Sequence, residues 1–205
     1  MAITNGYCTL ADITAELPIT SGTTTYDSKL ETAVEAASRQ IDGFCGRRFW
    51  QDSTLITRTY FADSPTECHV DDISTSTGLV VTVDDGDDGT FSTTLTITTN
   101  FILLPVNAGY ESPVWPYTAI RIVDSGASRF PVYTSGRPGV SVTAKFGWPA
   151  VPTDVKKACI IQAVQLFKSS EAAFGGLNFD GSVFRVRDSL NPMAAQLLEK
   201  YVKYT

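Results

Sequence analysis

Hydrophobic positions recur along this chain with two different periods, and the switches between them divide it into three parts. Near the N terminus Thr9 can cap a short helix reaching Leu17, because Asp12 three residues on completes an approximate capping box and Pro18 breaks the run. A loop rich in Thr, Ser and Gly follows at 20–25. Asp27 or Ser28 can then cap a longer helix in which Leu30, Ala33, Val34, Ala37, Ile41 and Phe44 return at steps of three and four. That spacing buries one face. Its small residues Ala33, Ala36 and Ala37 allow another helix to approach closely, and Gly43 and Gly46 mark the end before Phe49 and Trp50.

From about 54 to 148 the period falls to two, with Thr, Val, Ile and Phe enriched over 57–61, 79–83, 94–102, 119–123 and 140–146, so strands are expected there. The run Asp84-Asp85-Gly86-Asp87-Asp88-Gly89 reads first as a hairpin tip, because it lacks the ligand spacing and distal Glu of an EF-hand calcium loop. The helical period returns at Thr153, the natural cap of a helix to about Ala173 with Val155, Cys159, Ile160, Ala163, Val164 and Phe167 on one side and Asp154 in its first turn. Gly175-Gly176 ends it. Beyond a connector holding Phe184-Arg185-Val186-Arg187, Pro192 can start a last helix with Met193, Leu197, Tyr201 and Val202 at helical spacing. The expected fold is α+β: a helical bundle formed by N- and C-terminal helices, 1–53 and 150–205, with an inserted antiparallel β domain, 54–149.

The second junction, KFGWPAVPTD, has a rigid look. Gly147 frees the backbone where Trp148 can fold onto the core, and Pro149 and Pro152 hold the connection extended until Thr153 starts the helix. This joint is expected to fix the angle between the two parts.

Composition narrows the function. Of 205 residues, 43% are apolar and 19% charged, which suits a folded chain and argues against wholesale disorder. The net charge of −6 disfavours non-specific attraction to a phosphate backbone. No basic N-terminal region precedes a long apolar run and no stretch nears the ~18 apolar residues of a membrane span, so the expectation is a soluble protein with no membrane partner, intracellular when made. The four cysteines contain no CxxC pair; they are read as reduced, with Cys45 and Cys159 as small apolar core residues.

Candidate chemistry is sparse. His69 neighbours Cys68, but adjacent residues on a strand face opposite ways, so the pair reads as no dyad and His69 as a surface or turn residue. G-x-S-x-G, H-E-x-x-H, the P-loop and G-x-G-x-x-G are all missing from the sequence. Asp71-Asp72 and the 84–88 cluster read as solvated acids beside turns. The expectation is a protein that is not an enzyme, with no catalytic residue, cofactor or metal. Basic residues pair at Arg47-Arg48, where a helix end accounts for them, at Lys156-Lys157, and at Arg185 with Arg187. Segment 184–187 fits a short edge strand, an arm that orders against a neighbour, or a surface loop.

Three stretches together resemble the head-tail connector, or adaptor, proteins of long-tailed bacteriophages. YCTLADITAEL at 7–17 with LETAVEAASRQIDGFCGRRFW at 30–50 is similar to that family's N-terminal helix pair. VSVTAKFGWPAVPTDVKKACIIQAVQLFK at 140–168 is similar to its strand, FGW and helix junction, and LNPMAAQLLEKY at 190–201 to its last helix. The likeness spans nearly the whole chain, although 54–139 matches in layout more than in residues. It implies a structural virion protein, made in the host cytoplasm and placed in the neck, that forms a dodecameric ring with its own copies. Portal protein on one side and a neck or tail-completion protein on the other are its implied partners. Genomic double-stranded DNA would pass through the lumen without sequence-specific binding. Candidate interface residues are Arg47, Arg48, Trp148, Lys156, Lys157, Phe184, Arg185, Arg187 and Tyr201, with an arm from Gly175 onward reaching the portal. A tail-completion or terminator protein and a β-rich virion binding module are the alternative readings.

Overall fold

A computed structural model describes residues 3–18, 24–110, 112–123, 128–133, 135–171, 178–179, 182–183 and 190–203. The chain is α+β and divides into two compact units, Met1–Phe49 with Val151–Thr205, and Trp50–Ala150.

The first unit holds α1 (Leu10–Thr14), α2 (Asp27–Cys45), α3 (Thr153–Glu171) and α4 (Pro192–Leu198). The capping box on α1 is present: Asp12 N donates to Thr9 Oγ1 at 3.2 Å and Thr9 N to Asp12 Oδ2 at 2.8 Å. The helix is shorter than the hydrophobic pattern suggests. Glu16 and Leu17 donate three residues back, to Ile13 and Thr14, so the run to Leu17 finishes as a tight turn. At the start of α2, Tyr26 occupies the cap position with no side-chain bond, and Asp27 is already helical. Gly46 ends it in the left-handed region at φ 62°, whereas Gly43 lies inside the helix. Lys203 N then donates to the terminal carbonyl of Cys45 at 2.8 Å, so the far end of the chain caps this helix.

The apolar stripes of α2 and α3 meet as their periodicity requires. Leu30, Ala33, Val34, Ala37, Ile41 and Cys45 are buried on α2, and Val155, Ala158, Cys159, Ala163 and Phe167 on α3. Phe44 falls at the flank and stays 40% exposed, and Val164 is half-buried. In α4 the buried face is Ala194, Leu198 and Tyr201; Met193, one residue off that face, is 64% exposed. The larger residues suggested the wrong register, since a helix lying close on α3 places a small alanine at the contact. Asn191 caps α4 through Met193 N at 2.9 Å and also ties it to α3: Asn191 N donates to Gln162 Oε1 at 2.8 Å, and Asn191 Nδ2 to Gln165 Oε1 at 2.6 Å. Gln162 Nε2 continues to Gln40 Oε1 of α2 at 2.8 Å. Of the arm expected from Gly175 onward, 190–203 instead folds back into the unit, while 175–177, 180–181 and 184–189 lie outside the described residues. Between α3 and α4, Asn178–Phe179 pairs antiparallel with Ser182–Val183.

The second unit contains two antiparallel sheets. One runs β1 (Ile56–Tyr60), β7 (Val140–Ala144), β3 (Val80–Val83), β4 (Thr93–Leu95); the other runs β2 (Glu67–Ile73), β6 (Tyr117–Ile122), β5 (Phe101–Leu104). Alternation buries Val81, Leu95 and Val142 from the first and Cys68, Phe101 and Ile120 from the second in one cluster with Phe146. β2 was not expected, because Glu67, His69, Asp71 and Asp72 are poor strand formers. Asp72 is accordingly no solvated acid; it is 7% exposed. The stretch 94–102 is two strands parted by a turn, where Thr98 adopts φ 68° and Thr96 N donates to Asn100 Oδ1 at 2.7 Å.

The acidic run after β3 joins β3 to β4, as a hairpin tip should. Asp84 Oδ atoms accept from Gly86, Asp88 and Gly89 at 3.1, 3.4 and 2.8 Å. Against the opposing effect of burial, these backbone donors hold its carboxyl below the ordinary carboxylate value. The cluster folds its own loop.

Candidate functional site

The second unit begins and ends at one place. Asp52 N donates to Phe146 O at 2.9 Å, and Phe146 N returns a bond to Asp52 Oδ2 at 3.3 Å. Gly147 N donates to Asp72 O at 2.7 Å, at the end of β2, and Trp148 Nε1 donates to Asp72 Oδ2 at 3.2 Å. Trp148 is fully buried and its ring lies 4.9 Å from that of Trp115. Gly147 has φ 102°, a conformation that side chains with a Cβ rarely adopt. The FGW sequence thus bolts the last strand to the entering chain at 50–52 and to β2. Arg58 braces the same end, its guanidinium 4.2 Å above the Phe146 ring and 2.6 Å from Asp71 Oδ2.

In the first unit an N-terminal segment lies along one face of α2. Thr4 N donates to Glu35 Oε1 at 2.8 Å, Tyr7 N to Ser38 Oγ at 3.1 Å and Arg39 Nη2 to Asn5 O at 3.0 Å. Tyr7 hydroxyl donates to Asp42 and accepts from Phe49 N at 2.8 Å. Burial, reinforced by Asp42, pushes the Tyr7 phenol well above its ordinary value, and burial also raises Asp42. The polar positions 35, 38, 39 and 42 share one helical face, a period the apolar reading passed over.

The candidate interface residues separate by placement. Trp148 and Tyr201 are 0% and 1% exposed, so both are core residues of the single chain and offer no surface. Arg47 and Arg48 are half-buried just beyond Gly46. Lys156 and Lys157 are partly exposed on α3, and each holds an acid near α1: Lys156 Nζ lies 2.8 Å from Asp12 Oδ1, and Lys157 Nζ 2.7 Å from Glu16 Oε1. The Lys156 ammonium, helped by Thr9 N, lowers the Asp12 carboxyl to about 2. Lys200 likewise holds Asp154 below the ordinary carboxylate value, at 2.6 Å. Phe184, Arg185 and Arg187 lie outside the described residues. His69 is exposed beside Asp63, while the neighbouring Cys68 thiol faces the core. Among the described residues no three of His, Cys, Asp and Glu form a set able to hold a metal ion, and no helix is long and apolar enough to cross a membrane.

Two further surfaces stand apart from these residues. A groove of about 340 Å³ runs between α2 and α3, lined by Ser28, Lys29, Thr32, Ala33, Ala36, Leu166 and Ser170. Ala33 and Ala37 face the helix partner, as expected of small residues, while Ala36 is exposed in the groove. On the second unit Tyr110, Phe61 and Val106 are 90%, 62% and 60% exposed, a large apolar exposure for single side chains.

No protein-family model and no curated protein matches the sequence. Solved structures do match in fold. A chain of the neck of an empty gene transfer agent particle, computed with C6 symmetry, superposes with a TM-score of 0.56 at 17% identity over 100% of this chain and 94% of its own length. A chain of the neck of the native particle, computed with C12 symmetry, gives 0.55 at 17% identity over 100% and 93%. A chain of the native gene transfer agent virion gives 0.54 at 16% identity over 100% and 94%. At such identity the likeness is one of fold, and it extends through both units.

Proposed function

We propose that this protein is a structural subunit of a virion neck, a head-tail connector that assembles as a closed ring between portal and tail and does no chemistry of its own. The observation that carries this reading is the end-to-end likeness of fold to chains in particle necks, one of them computed with C12 symmetry. Twelve copies in a ring follow from that symmetry as the working expectation. The net charge of −6 suits a lumen through which DNA slides without being gripped.

In this reading the exposed positions of α2 and α3 supply the contacts between copies, with the α2/α3 groove receiving the next copy. Arg47 and Arg48 sit at the end of α2 and can serve the same contact. The basic segment 184–187, with Phe184, Arg185 and Arg187, engages the portal. Removing 176–205 would be a poor test, because Leu198 and Tyr201 are core residues and the unit would be opened. The informative variant replaces 184–187 alone with Gly and Ser and asks whether the protein still co-sediments with purified portal. Loss of co-sedimentation by a folded variant is the expected result, and full retention would remove this segment from the portal contact. Parallel sedimentation with tail tubes separates a connector from a tail-completion protein, since only the latter should follow the tube.

A further inference from the structure

Two buried thiols that the neck reading does not use lie in contact. Cys8, just before α1, and Cys159, in the middle of α3, are 151 residues apart in sequence, yet their Sγ atoms are 3.3 Å apart. Both are core residues, Cys8 at 4% and Cys159 at 0% exposure. Ser38 Oγ of α2 stands 3.5 Å from Cys159 Sγ. Ser38 commits its single hydroxyl proton to Val34 O at 2.8 Å, so across that contact the Cys159 thiol is the donor. Cys8 donates to Cys159, Cys159 to Ser38 and Ser38 to Val34, a continuous buried chain in which the two sulfurs face one another. The bond between them, together with burial, holds the Cys8 thiol far above its ordinary value, and the same bond pulls Cys159 below its own. As the chain stands it is a reduced pair.

Cys45 and Cys68 provide the contrast. Burial raises each to about 12. Cys68 Sγ lies 3.7 Å from each of the Phe61 and His69 carbonyl oxygens. These two behave as small apolar core residues. Cys8 and Cys159 differ because sulfur meets sulfur, and a disulfide at about 2.05 Å needs them to close by only roughly 1.2 Å.

We infer that Cys8 and Cys159 are a latent disulfide, which forms in an oxidising medium and ties the N-terminal segment covalently to α3. The oxidant is a small-molecule disulfide of the oxidised glutathione class. One cysteine, losing its proton, attacks a sulfur of that molecule, forms a mixed disulfide and expels one small thiolate. The second cysteine, losing its proton, attacks the first cysteine's sulfur and expels the other thiolate. Two protein thiols are thereby oxidised, the small disulfide is reduced to two thiols, and the two protons pass to them. Cys159, whose thiol is held lower by the bond from Cys8, is the attacking sulfur, and Cys8 resolves the mixed disulfide. The inference stands on these two thiols and is independent of the neck reading.

The bond would close a loop of about 150 residues, among the most effective lengths for stabilisation in the chain-entropy account. The test uses the full-length protein refolded from denaturant through a glutathione redox buffer, which gives the oxidant access to every thiol. Afterwards the thiols are alkylated under denaturing conditions and counted by intact mass and peptide mapping. Two alkylated thiols, at Cys45 and Cys68, with a Cys8–Cys159 cross-linked peptide, are expected, and a melting temperature raised on the order of 10 °C that reverts on reduction. The variants C8S and C159S should each keep three alkylatable thiols and lose the oxidant-dependent shift. Four free thiols after refolding, or a cross-link joining any other pair, overturns the inference, and this readout on the unmodified protein needs neither variant to fold.

Discussion

Gly147 and Trp50 approach so closely that no side chain fits between them: a Cβ built on Gly147 would lie 1.9 Å from the Trp50 carbonyl oxygen. Because the obstacle is backbone, and because φ is 102°, neither a rotamer change nor a small shift relieves it. Gly147→Ala should therefore destabilise the protein by about 3 kcal/mol or more. Urea denaturation measures it, and a loss under about 0.5 kcal/mol would mean that the chain at 50–52 and the FGW segment are not held this close.

Acid should weaken the first unit in a defined window. Asp12 is held at about 2 against an ordinary value of 3.8, chiefly by Lys156. A carboxylate depressed in the folded state adds stability that is complete above its unfolded value and lost as pH falls through its folded one, so the loss runs from about pH 4 to about pH 2. Lys156→Met should lower stability at pH 5 by under about 1 kcal/mol, since both partners are partly exposed, and the difference from the parent protein should vanish by about pH 2. Chemical denaturation across pH 5 to 2 reads both points; a difference constant with pH would assign the effect to packing.

The Gln40, Gln162, Asn191 and Gln165 network should govern how firmly α4 is held. Gln162 is 1% exposed and serves both Gln40, itself exposed, and the half-buried Asn191 amide, so Gln162→Ala removes two hydrogen bonds, at a cost of about 1–3 kcal/mol. Amide exchange should quicken first across 192–201. Uniform quickening across the whole unit would show that the network does not act locally.

These cases show how much could be read in advance. The change of hydrophobic period located the α+β plan, and the capping pair Thr9 and Asp12 and the hairpin role of 84–89 followed from local chemistry. β2 was missed because its strand character comes from tertiary burial of Asp72 and Cys68, which overrides the weak β propensity of its acids. The register of α4 was misjudged because Ala194, small and unremarked, is the contact residue while Met193 points outward. Large aromatics such as Trp148 and Tyr201 suit interfaces and cores alike, and only their burial separates the two. The Lys156 and Lys157 pairs, the α2/α3 groove and the Cys8–Cys159 contact join residues far apart in sequence, and no spacing rule reaches them.

A bulky residue in the groove should separate assembly from folding. Ala36 is exposed there, so Ala36→Trp should change stability by no more than about 0.5 kcal/mol. The proposed contact between copies makes the same change block assembly. Rings formed normally by the folded variant in negative-stain images would move the contact to another surface.

Native mass spectrometry of the purified protein, alone and mixed with purified portal, tests the neck assignment most directly. A connector should yield a closed species near twelve times the 22.2 kDa protomer, either spontaneously or once portal is present. A protomer that stays at 22.2 kDa in both samples would contradict the account. The likeness to neck chains would then reach no further than the fold.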